Sequence, residues 1–280
     1  MPELPEVETI VRDLAPRLVG RTLRHPRLYQ TDVLRRVTPR RLLATLSGAR
    51  VTAVGRRAKH AVLTLATGHR LVIQPRMTGS LLVYDRRLAA GERRYVVLEA
   101  AIGGGAGARF VYRDVRRLGT IWLLDGRGWE AYTARIGPEP LDLAFDAVQF
   151  ADCLRGTGQA IKKVIMDQRR LAGVGNIYAN EALFRAAIDP SRRADRLTSD
   201  DVVRLHGTVL AVLTEALAAQ GTTVRDYRTG TGQSGSYQFA LRVYGRGGEP
   251  CVRCGARLIT THAIDGRSTT FCRHCQGATP

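Results

Sequence analysis

The stretch "CVRCGARLITTHAIDGRSTTFCRHC" (251–275) decides how the last part of the chain folds. Its two Cys-x-x-Cys pairs are separated by seventeen residues, a spacing typical of zinc sites in which each pair binds the metal from a tight turn. Two matched pairs argue against a redox dithiol, and four thiolates complete a tetrahedral shell without His274. We therefore predict one structural Zn²⁺ on a β-hairpin, with the ligands Cys251, Cys254, Cys272 and Cys275.

The composition indicates a folded protein with a polyanionic partner. The chain has 280 residues, with 43 Lys and Arg against 25 Asp and Glu, and a formal net charge of +18. Arginine dominates this excess, and its planar guanidinium binds phosphates in a bidentate manner, which favours a nucleic acid. No apolar window has the length of a membrane-spanning helix, and charges interrupt the apolar runs near the N-terminus, so we expect a cytoplasmic protein. Cys153, which lies outside the two pairs, is assigned no function.

The first half of the chain has the character of β-strands. Five segments carry β-branched and aromatic residues between turn signals: 50–66, 70–84, 94–102, 108–115 and 119–125. Such short, closely spaced strands predict a sandwich or a barrel rather than βαβ units. The run "GGGAG" (103–107) is interpreted as a hairpin tip, because no Gly-Lys-Ser/Thr of a phosphate loop follows it.

After a break at "RIGPEPLD" (135–142), the pattern changes to helical. The clearest helix is "SDDVVRLHGTVLAVLTEALAAQ" (199–220), where Thr198 and Asp201 have the spacing of a capping box; 145–157 and 176–187 are further candidates. The stretch 221–239 is rich in Gly, Thr and Ser, and a loop of that length in a compact protein is usually functional or disordered.

The opening "MPELPEVETI" (1–10) has two interpretations. Apolar residues recur at helical spacing up to Leu18, proline suits the first turn, and early acids suit the positive end of the helix dipole, so the stretch predicts an amphipathic helix that stops near Gly20. Alternatively, removal of Met1 leaves Pro2 as a secondary amine beside Glu3, which is an arrangement for chemistry. The residues of this stretch alone leave both interpretations open.

The stretch "GVGNIYANEALF" (173–184) is similarly ambiguous. Small residues before a helix leave backbone N–H groups that attract a phosphate, whereas the alternative is a tight turn with Asn176 as an ordinary cap. Basic residues cluster along the whole chain and fit a groove for a polyanion: Arg56, Arg57 and Lys59; Arg93 and Arg94; Arg116 and Arg117; Lys162 and Lys163.

Taken together, these motifs resemble those of bacterial formamidopyrimidine-DNA glycosylases, within the formamidopyrimidine-glycosylase/endonuclease VIII family. The similarity runs nearly end to end and rests on "MPELPEVET" (1–9), "RRAK" (56–59), "MTGSL" (77–81), "DVRRLG" (114–119), "GPEPL" (137–141), "GVGNIYANE" (173–181), "VYGRGGEPC" (243–251) and the four cysteines. The endonuclease VIII branch usually has glycine in the place of Leu4, so Leu4 favours the first branch.

The resemblance implies an α+β fold in three parts. Residues 1–137 would form an N-terminal β-sandwich catalytic domain with flanking helices, and 138–242 a helical helix-two-turn-helix DNA-binding domain with a lesion loop at about 221–239. Residues 243–280 would form the zinc finger, which ends in a β-hairpin. The implied partner is double-stranded DNA with oxidised bases or abasic sites, bound by a monomer without any membrane association.

The resemblance also assigns roles in base excision and strand cleavage. Pro2 would attack C1′ of the damaged nucleoside and form a Schiff base, with Glu3 as the acid and Glu6 as a supporting carboxylate. Lys59 would act in β-elimination, and Arg267 in phosphate binding and δ-elimination. Zn²⁺ would be structural. The implied enzyme is a DNA glycosylase and abasic-site lyase for oxidised purines.

Other positions match residues that open and hold the DNA. Met77 would be a wedge and Arg116 would bond the orphaned base, while Lys162 and Asn176 would contact the backbone. Further matched or nearby positions are Arg93, Leu118, Glu181 and Tyr237.

Three departures from the family pattern leave lesion preference open. They are Gln74-Pro75-Arg76 before the wedge, Leu118 in place of phenylalanine, and Arg93-Arg94 where histidines are usual. Two alternatives therefore remain: an endonuclease VIII-like preference for oxidised pyrimidines, and a non-catalytic protein that binds damaged DNA.

Overall fold

The computed structural model describes residues 2–103, 107–223 and 227–277. The chain divides into two compact units. The first unit runs to Ala134 and includes the later segment Ala219–Gln238, and the second contains Arg135–Ala218 and the chain from Phe239 onward. The domain boundaries that the resemblance implies stay a prediction.

The first unit begins with helix α1, Leu4–Leu18. Pro5 stands in its first turn, and the helix ends before Gly20, whose φ of 80° is the left-handed conformation that glycine tolerates best. The face formed by Val7, Ile10, Val11, Leu14 and Leu18 is buried in the main hydrophobic core. The helix predicted from the spacing of apolar residues is therefore confirmed.

Two antiparallel four-stranded sheets follow. One has the order β1-β6-β7-β5 and the other β2-β3-β4-β8. The strands are β1 Leu23–Leu28, β2 Val51–Arg57, β3 His60–Leu65, β4 Arg70–Gln74, β5 Gly79–Tyr84, β6 Val96–Ile102, β7 Arg109–Asp114 and β8 Thr120–Leu124. Apolar side chains of both sheets and of α1 share one core, which is the arrangement of a β-sandwich. All five segments predicted to have strand character contain strands, and the segments 50–66 and 70–84 contain two each.

One strand and two α-helices among the described residues of the first unit were not located by the sequence patterns. They are β1 and the helices α2, Pro39–Leu46, and α3, Gly126–Thr133. The β1 sequence "LRHPRL" contains a proline and three basic residues, and only Leu23 is buried, so it lacks an apolar alternation. Each of the two helices has only eight residues, of which two are buried in α2 and none in α3, so neither has an extended apolar stripe.

The second unit contains four helices and a hairpin among the described residues. The helices are α4 Ala147–Leu154, α5 Ile161–Met166, α6 Asn176–Arg185 and α7 Ser199–Ala218. The predicted capping box of α7 is present, since the Thr198 amide donates to Asp201 Oδ2 (3.1 Å) and the Asp201 amide to Thr198 Oγ1 (3.2 Å). The short α5 was not predicted.

The second unit ends in the predicted hairpin. Strands β9, Ile259–Thr261, and β10, Thr269–Phe271, pair in antiparallel register between the two cysteine pairs. The tip predicted at 103–107 joins the paired strands β6 and β7, and its residues 104–106 lie outside the described part. None of the helices in 2–103, 107–223 and 227–277 is both long and apolar enough to cross a membrane.

Candidate functional site

The start of α1 is held by the carboxylate of Glu6. Pro2 and Glu3 are buried, and the Glu3 amide donates to Glu6 Oε2 (2.8 Å). The other carboxylate oxygen, Oε1, accepts from the backbone amide of Thr222 (2.7 Å), and the Tyr227 hydroxyl donates to the Glu6 carbonyl (3.3 Å). Burial, and next the charge of Glu6, raise the pKa of Tyr227, so its hydroxyl remains a donor at neutral pH. Glu6 thus connects the backbone amide of Glu3 to the returning segment 219–238.

Lys59 lies in the two-residue turn between β2 and β3. Its side chain is buried, and Ala58 before it has a φ of 50°, which is strained for a residue with a Cβ. The guanidinium of Arg56 donates to the Ala58 carbonyl (2.9 Å) and to Glu8 Oε2 on α1 (2.9 Å). The turn that carries Lys59 is therefore tied to α1, the helix that directly follows Pro2 and Glu3.

Met77 and Arg116, to which the resemblance assigns the roles of wedge and partner-base contact, lie side by side. Both are exposed, and the Arg116 guanidinium donates to Met77 Sδ (3.1 Å). The Arg116 amide also donates to Thr78 Oγ1 (3.0 Å), which joins the loop after β7 to the loop before β5. Leu118, the third position expected at this site, is exposed in the same loop.

Asp114, a buried carboxylate, organises these two loops. It accepts hydrogen bonds from Thr78 Oγ1 (2.5 Å), the Tyr112 hydroxyl (3.2 Å) and the Gly119 amide (2.8 Å). A Cβ on Gly119 would lie 2.0 Å from the Tyr112 hydroxyl, so this close approach requires glycine. Burial, and next Asp114, raise the pKa of Tyr112 and keep its hydroxyl a donor.

The unusual Gln74-Pro75-Arg76 stretch leaves the sheet intact. β4 pairs regularly with β8 up to Gln74, so Pro75 follows the last residue of the strand and removes no ladder hydrogen bond. Arg76 is exposed, with a φ of 50°. Arg93, which the resemblance places near the DNA, is partly buried in the 3₁₀ turn Ala90–Tyr95.

In the second unit, Lys162, Asn176 and the finger hairpin meet at Ser268. The ammonium of Lys162 donates to Thr269 Oγ1 (2.7 Å) and to the Ser268 carbonyl (3.2 Å), and the Asn176 side chain donates to the same carbonyl (3.0 Å). Lys162 is completely buried, whereas Arg267, beside Ser268, is exposed. A contact of Lys162 with the DNA backbone stays a prediction, and in this structure its side chain supports the hairpin that presents Arg267.

The start of α6 has no side-chain cap. The helix begins at Asn176, and Gly175 occupies the N-cap position, so the interpretation of Asn176 as the cap is wrong. Later in the helix, the Asn180 side chain accepts from the Thr270 amide in β10 (2.8 Å). The helix therefore positions the finger through polar side chains on one of its faces.

Glu181 holds the segment that leads into the finger. Its carboxylate is fully buried and accepts from three successive backbone amides, those of Arg242 (2.9 Å), Val243 (2.9 Å) and Tyr244 (2.8 Å). Such a set of donors satisfies a buried charge without a cationic partner. The contacts give Glu181 a structural role that the sequence left undefined.

The four predicted cysteine ligands converge. Their Sγ atoms all lie within 4.8 Å of one another, with Cys251–Cys275 at 3.8 Å and Cys254–Cys272 at 3.5 Å. Zn–S bonds of about 2.3 Å in a tetrahedron separate the sulfurs by roughly 3.8 Å, so the donor set fits zinc. The finger is a four-cysteine zinc site, and when bound the metal stabilises its fold.

The predicted lesion loop is largely folded onto the first unit. Tyr237 is buried and its amide donates to the Gly221 carbonyl (3.1 Å), while residues 224–226 lie outside the described part. The sequence did not single out Thr78, Asp114 or Asn180. All three lie inside the motifs 77–81, 114–119 and 173–181, so the motifs held the signal although the roles of these residues were not visible.

Three family models match the chain in order. The formamidopyrimidine-DNA glycosylase N-terminal domain matches residues 1–121, and the formamidopyrimidine-DNA glycosylase H2TH domain matches residues 136–228. A zinc finger found in FPG and IleRS matches residues 248–277.

Relatives and solved structures agree with these matches over the whole length. The formamidopyrimidine-DNA glycosylase of Chloroflexus aggregans is 43% identical over 278 residues, which are 99% of this chain and 98% of the relative. A Lactococcus lactis FPG variant in complex with Fapy-dG-containing DNA has a TM-score of 0.89 and 32% identity, with 98% and 99% of the two chains covered. The Lactococcus lactis Fpg in complex with abasic-site DNA has a TM-score of 0.88 and 31% identity at the same coverage. The chain therefore belongs to the formamidopyrimidine-DNA glycosylase family of DNA glycosylases.

Proposed function

We propose that this enzyme removes oxidised purines from duplex DNA and then cuts the strand, with Pro2 as the nucleophile. The observation that carries the proposal is the buried Pro2-Glu3 pair at the start of α1, whose backbone Glu6 holds. An α-amino group has a pKa of about 7.7–8.0, against about 10.4 for lysine, so a far larger share of it is neutral and nucleophilic at pH 7.

The proposed reaction begins at the sugar. After removal of Met1, the lone pair of the Pro2 nitrogen attacks C1′, the glycosidic bond breaks, and the base leaves with its bonding electrons. The proton that the attached Pro2 nitrogen gives up balances the proton that the departing base takes up. Glu3 protonates the sugar oxygen as the ring opens, which yields the Schiff base. Loss of a C2′ proton then expels the 3′ phosphate, and a second elimination expels the 5′ phosphate. Lys59 assists the first elimination, and Arg267 the second.

The proposed opening of the DNA uses the loops around Asp114. The damaged nucleotide must leave the stack before its sugar reaches Pro2, at a cost of a few kcal/mol. Met77 and Leu118 would fill the vacated space, and Arg116 would hydrogen-bond the orphaned base. The net charge of +18 and the exposed Arg267 favour contact with the phosphate backbone. The two Lactococcus lactis proteins, crystallised with Fapy-dG and abasic-site DNA, support this substrate class.

Borohydride trapping tests the proposal directly. Mature protein with a free Pro2 is mixed with an 8-oxoguanine duplex and borohydride, and a covalent protein–DNA adduct is expected, with N-terminal mass analysis confirming that Met1 is absent. A Glu3→Gln variant should block base release, and Pro2→Gly should keep a primary amine with reduced activity. The absence of an adduct from processed protein, or full activity from protein that retains Met1, would contradict the role of Pro2.

Lesion preference needs a separate measurement, because Leu118 replaces an aromatic wedge. Excision of 8-oxoguanine and of thymine glycol is compared on matched duplexes, and faster excision of 8-oxoguanine is expected. Faster excision of thymine glycol would favour the endonuclease VIII-like alternative. Retained DNA affinity without any cleavage would instead identify a non-catalytic binding protein.

A further inference from the structure

His60, the residue after Lys59, makes a hydrogen bond with each of its ring nitrogens. Its Nδ1 lies 3.0 Å from the Arg57 carbonyl oxygen, and its Nε2 lies 3.0 Å from the hydroxyl of Tyr132 in α3. A carbonyl oxygen can only accept, so Nδ1 carries the proton and donates to Arg57. Nε2 then has a lone pair and accepts from the Tyr132 hydroxyl. The two contacts define one neutral tautomer.

The surroundings keep both partners neutral. The pKa of His60 is lowered to about 4, mainly by burial and further by the nearby charges of Lys59, Arg57 and Arg76. The hydrogen bond to the Arg57 carbonyl acts in the opposite direction and raises the pKa. Burial also raises the pKa of Tyr132 to about 12. The Tyr132 ring packs against Trp122 (5.4 Å between centroids) and Trp129 (6.3 Å), so its hydroxyl is held by a rigid aromatic cluster.

The turn that these contacts hold is strained. Ala58 has a φ of 50°, a conformation that costs a non-glycine residue free energy and persists only where its surroundings impose it. Two side chains hold the carbonyl groups of this turn. The Arg56 guanidinium donates to the Ala58 carbonyl oxygen (2.9 Å), and His60 Nδ1 donates to the Arg57 carbonyl oxygen (3.0 Å). Because Lys59 directly follows Ala58, the direction of its side chain depends on this turn.

We propose that His60 and Tyr132 are positioning residues that orient Lys59 for strand cleavage. The inference rests on the proposed role of Lys59 in β-elimination. Tyr132 anchors the imidazole to the aromatic cluster, and the imidazole anchors the turn through Arg57. Loss of either contact lets the turn relax, and a displacement of about 1 Å at a catalytic group can slow a reaction by up to about a hundredfold. The elimination step should therefore slow while attack by Pro2 continues.

Four substitutions separate positioning from packing. Tyr132→Phe removes only the hydroxyl, and His60→Phe removes both ring nitrogens. His60→Asn keeps an N–H where Nδ1 lies and can still donate to Arg57, whereas His60→Gln places its amide where Nε2 lies and loses the turn contact. The matched controls are His69→Phe, at a half-buried histidine between β3 and β4, and Tyr95→Phe.

The assay measures two rates on DNA with a preformed abasic site. Borohydride trapping reports Schiff-base formation, and strand cleavage under single-turnover conditions reports elimination. We expect about a tenfold loss of cleavage in His60→Phe and His60→Gln, a smaller loss in Tyr132→Phe and near recovery in His60→Asn, with trapping within about twofold of wild type throughout. The two controls should match wild type. Unchanged cleavage in His60→Phe and His60→Gln, or a parallel fall of both rates in step with thermal stability, would overturn the proposal.

Two further measurements distinguish this inference from the proposed function. Imidazole ¹⁵N shifts of labelled wild-type protein at pH 7 should show His60, one of six histidines, with a protonated Nδ1 and an unprotonated Nε2, and the opposite tautomer would refute the hydrogen-bond scheme. A Lys59→Met variant should lose strand cleavage. If Lys59→Met still cleaves the strand, or if wild type forms no adduct, the proposed function fails. If Lys59→Met loses strand cleavage but the His60 variants cleave like wild type, only the positioning role is refuted.

Discussion

Replacement of Asp114 by asparagine should loosen the loops that carry Met77 and Arg116. The carboxylate accepts from three donors, and the Thr78 hydroxyl among them also accepts from the Arg116 amide. An asparagine amide that keeps its oxygen toward Tyr112 and Gly119 turns its NH₂ toward Thr78. The Thr78 hydroxyl then has two donors facing it and no acceptor for its own proton.

The magnitude follows from that lost bond. A hydrogen bond to a charged group contributes about 1.5–3 kcal/mol, and an unsatisfied buried donor costs about 1–3 kcal/mol. Removal of a buried charge offsets part of this loss, because a neutral amide is less costly to bury. We expect Asp114→Asn to lower the free energy of unfolding by about 2 kcal/mol, which corresponds to a fall of roughly 4–8 °C in Tm for a unit of this size.

The functional readout separates opening of the duplex from chemistry. Excision of a lesion from duplex DNA should slow about tenfold, because Met77 and Arg116, the proposed wedge and partner-base contact, are displaced. Cleavage at an abasic site in a single strand has no partner base to displace and should change less than about twofold. Asp125→Asn is the matched control, since Asp125 caps α3 through the Gly128 amide (2.7 Å) and asparagine caps equally well. The carboxylate does not organise these loops if Asp114→Asn has the Tm of wild type and the same ratio of rates on the two DNA substrates.

Four further predictions concern stability and the metal. As the pH falls from 6.5 to 4, His60 takes up a proton in the unfolded chain but not in the folded one, so the free energy of unfolding should fall by up to about 3 kcal/mol. Urea titrations at pH 7 and 4.5 should show this loss in wild type. The loss should be smaller in His60→Gln, which removes the imidazole but keeps the surrounding Lys59, Arg57, Arg76 and Tyr132. Ala58→Gly should raise stability by about 1 kcal/mol in the same titration, because glycine accepts a φ of 50° without strain, and a loss would contradict the strain. Glu181→Gln should cost about 2–4 kcal/mol in thermal unfolding, because one of the three amides then faces an NH₂ group, and a neutral result would show that the segment 242–244 does not depend on this charge. Removal of zinc by a chelator should abolish DNA binding, measured by fluorescence anisotropy, before the first unit unfolds by circular dichroism, and a single concerted transition would refute the independence of the finger.

The sequence predicted the elements whose side chains repeat with a clear period. Helix α7 could be predicted because its apolar stripe and its Thr198–Asp201 capping box are local patterns, and the zinc site because cysteine spacing reflects ligand geometry. Strand β1 could not, because half of its residues are basic and only Leu23 is fully buried in the core, with Leu28 packed against it in part.

The sequence named candidate site residues, but the hydrogen bonds that connect them could not be predicted. The bond from Thr222 to Glu6 joins residues 216 apart, and a single sequence contains no periodicity that links them. The burial of Lys162 was equally hidden, because its cost is offset by Thr269 and Ser268, which lie more than a hundred positions away. The motifs supplied the candidate residues, and only the folded chain showed which residues support others.

The hydrogen bond between Glu6 and Thr222 also sets an order of events during protein synthesis. The segment 219–238, which completes the first unit, leaves the ribosome only after the preceding 218 residues have been made. At about 5–20 residues per second, this takes roughly 10–40 s. During that interval the nascent N-terminus has no Thr222 to dock against and stays accessible to an aminopeptidase. The late synthesis of this segment therefore leaves time for removal of the leading methionine before Pro2, the nucleophile that we propose, is enclosed.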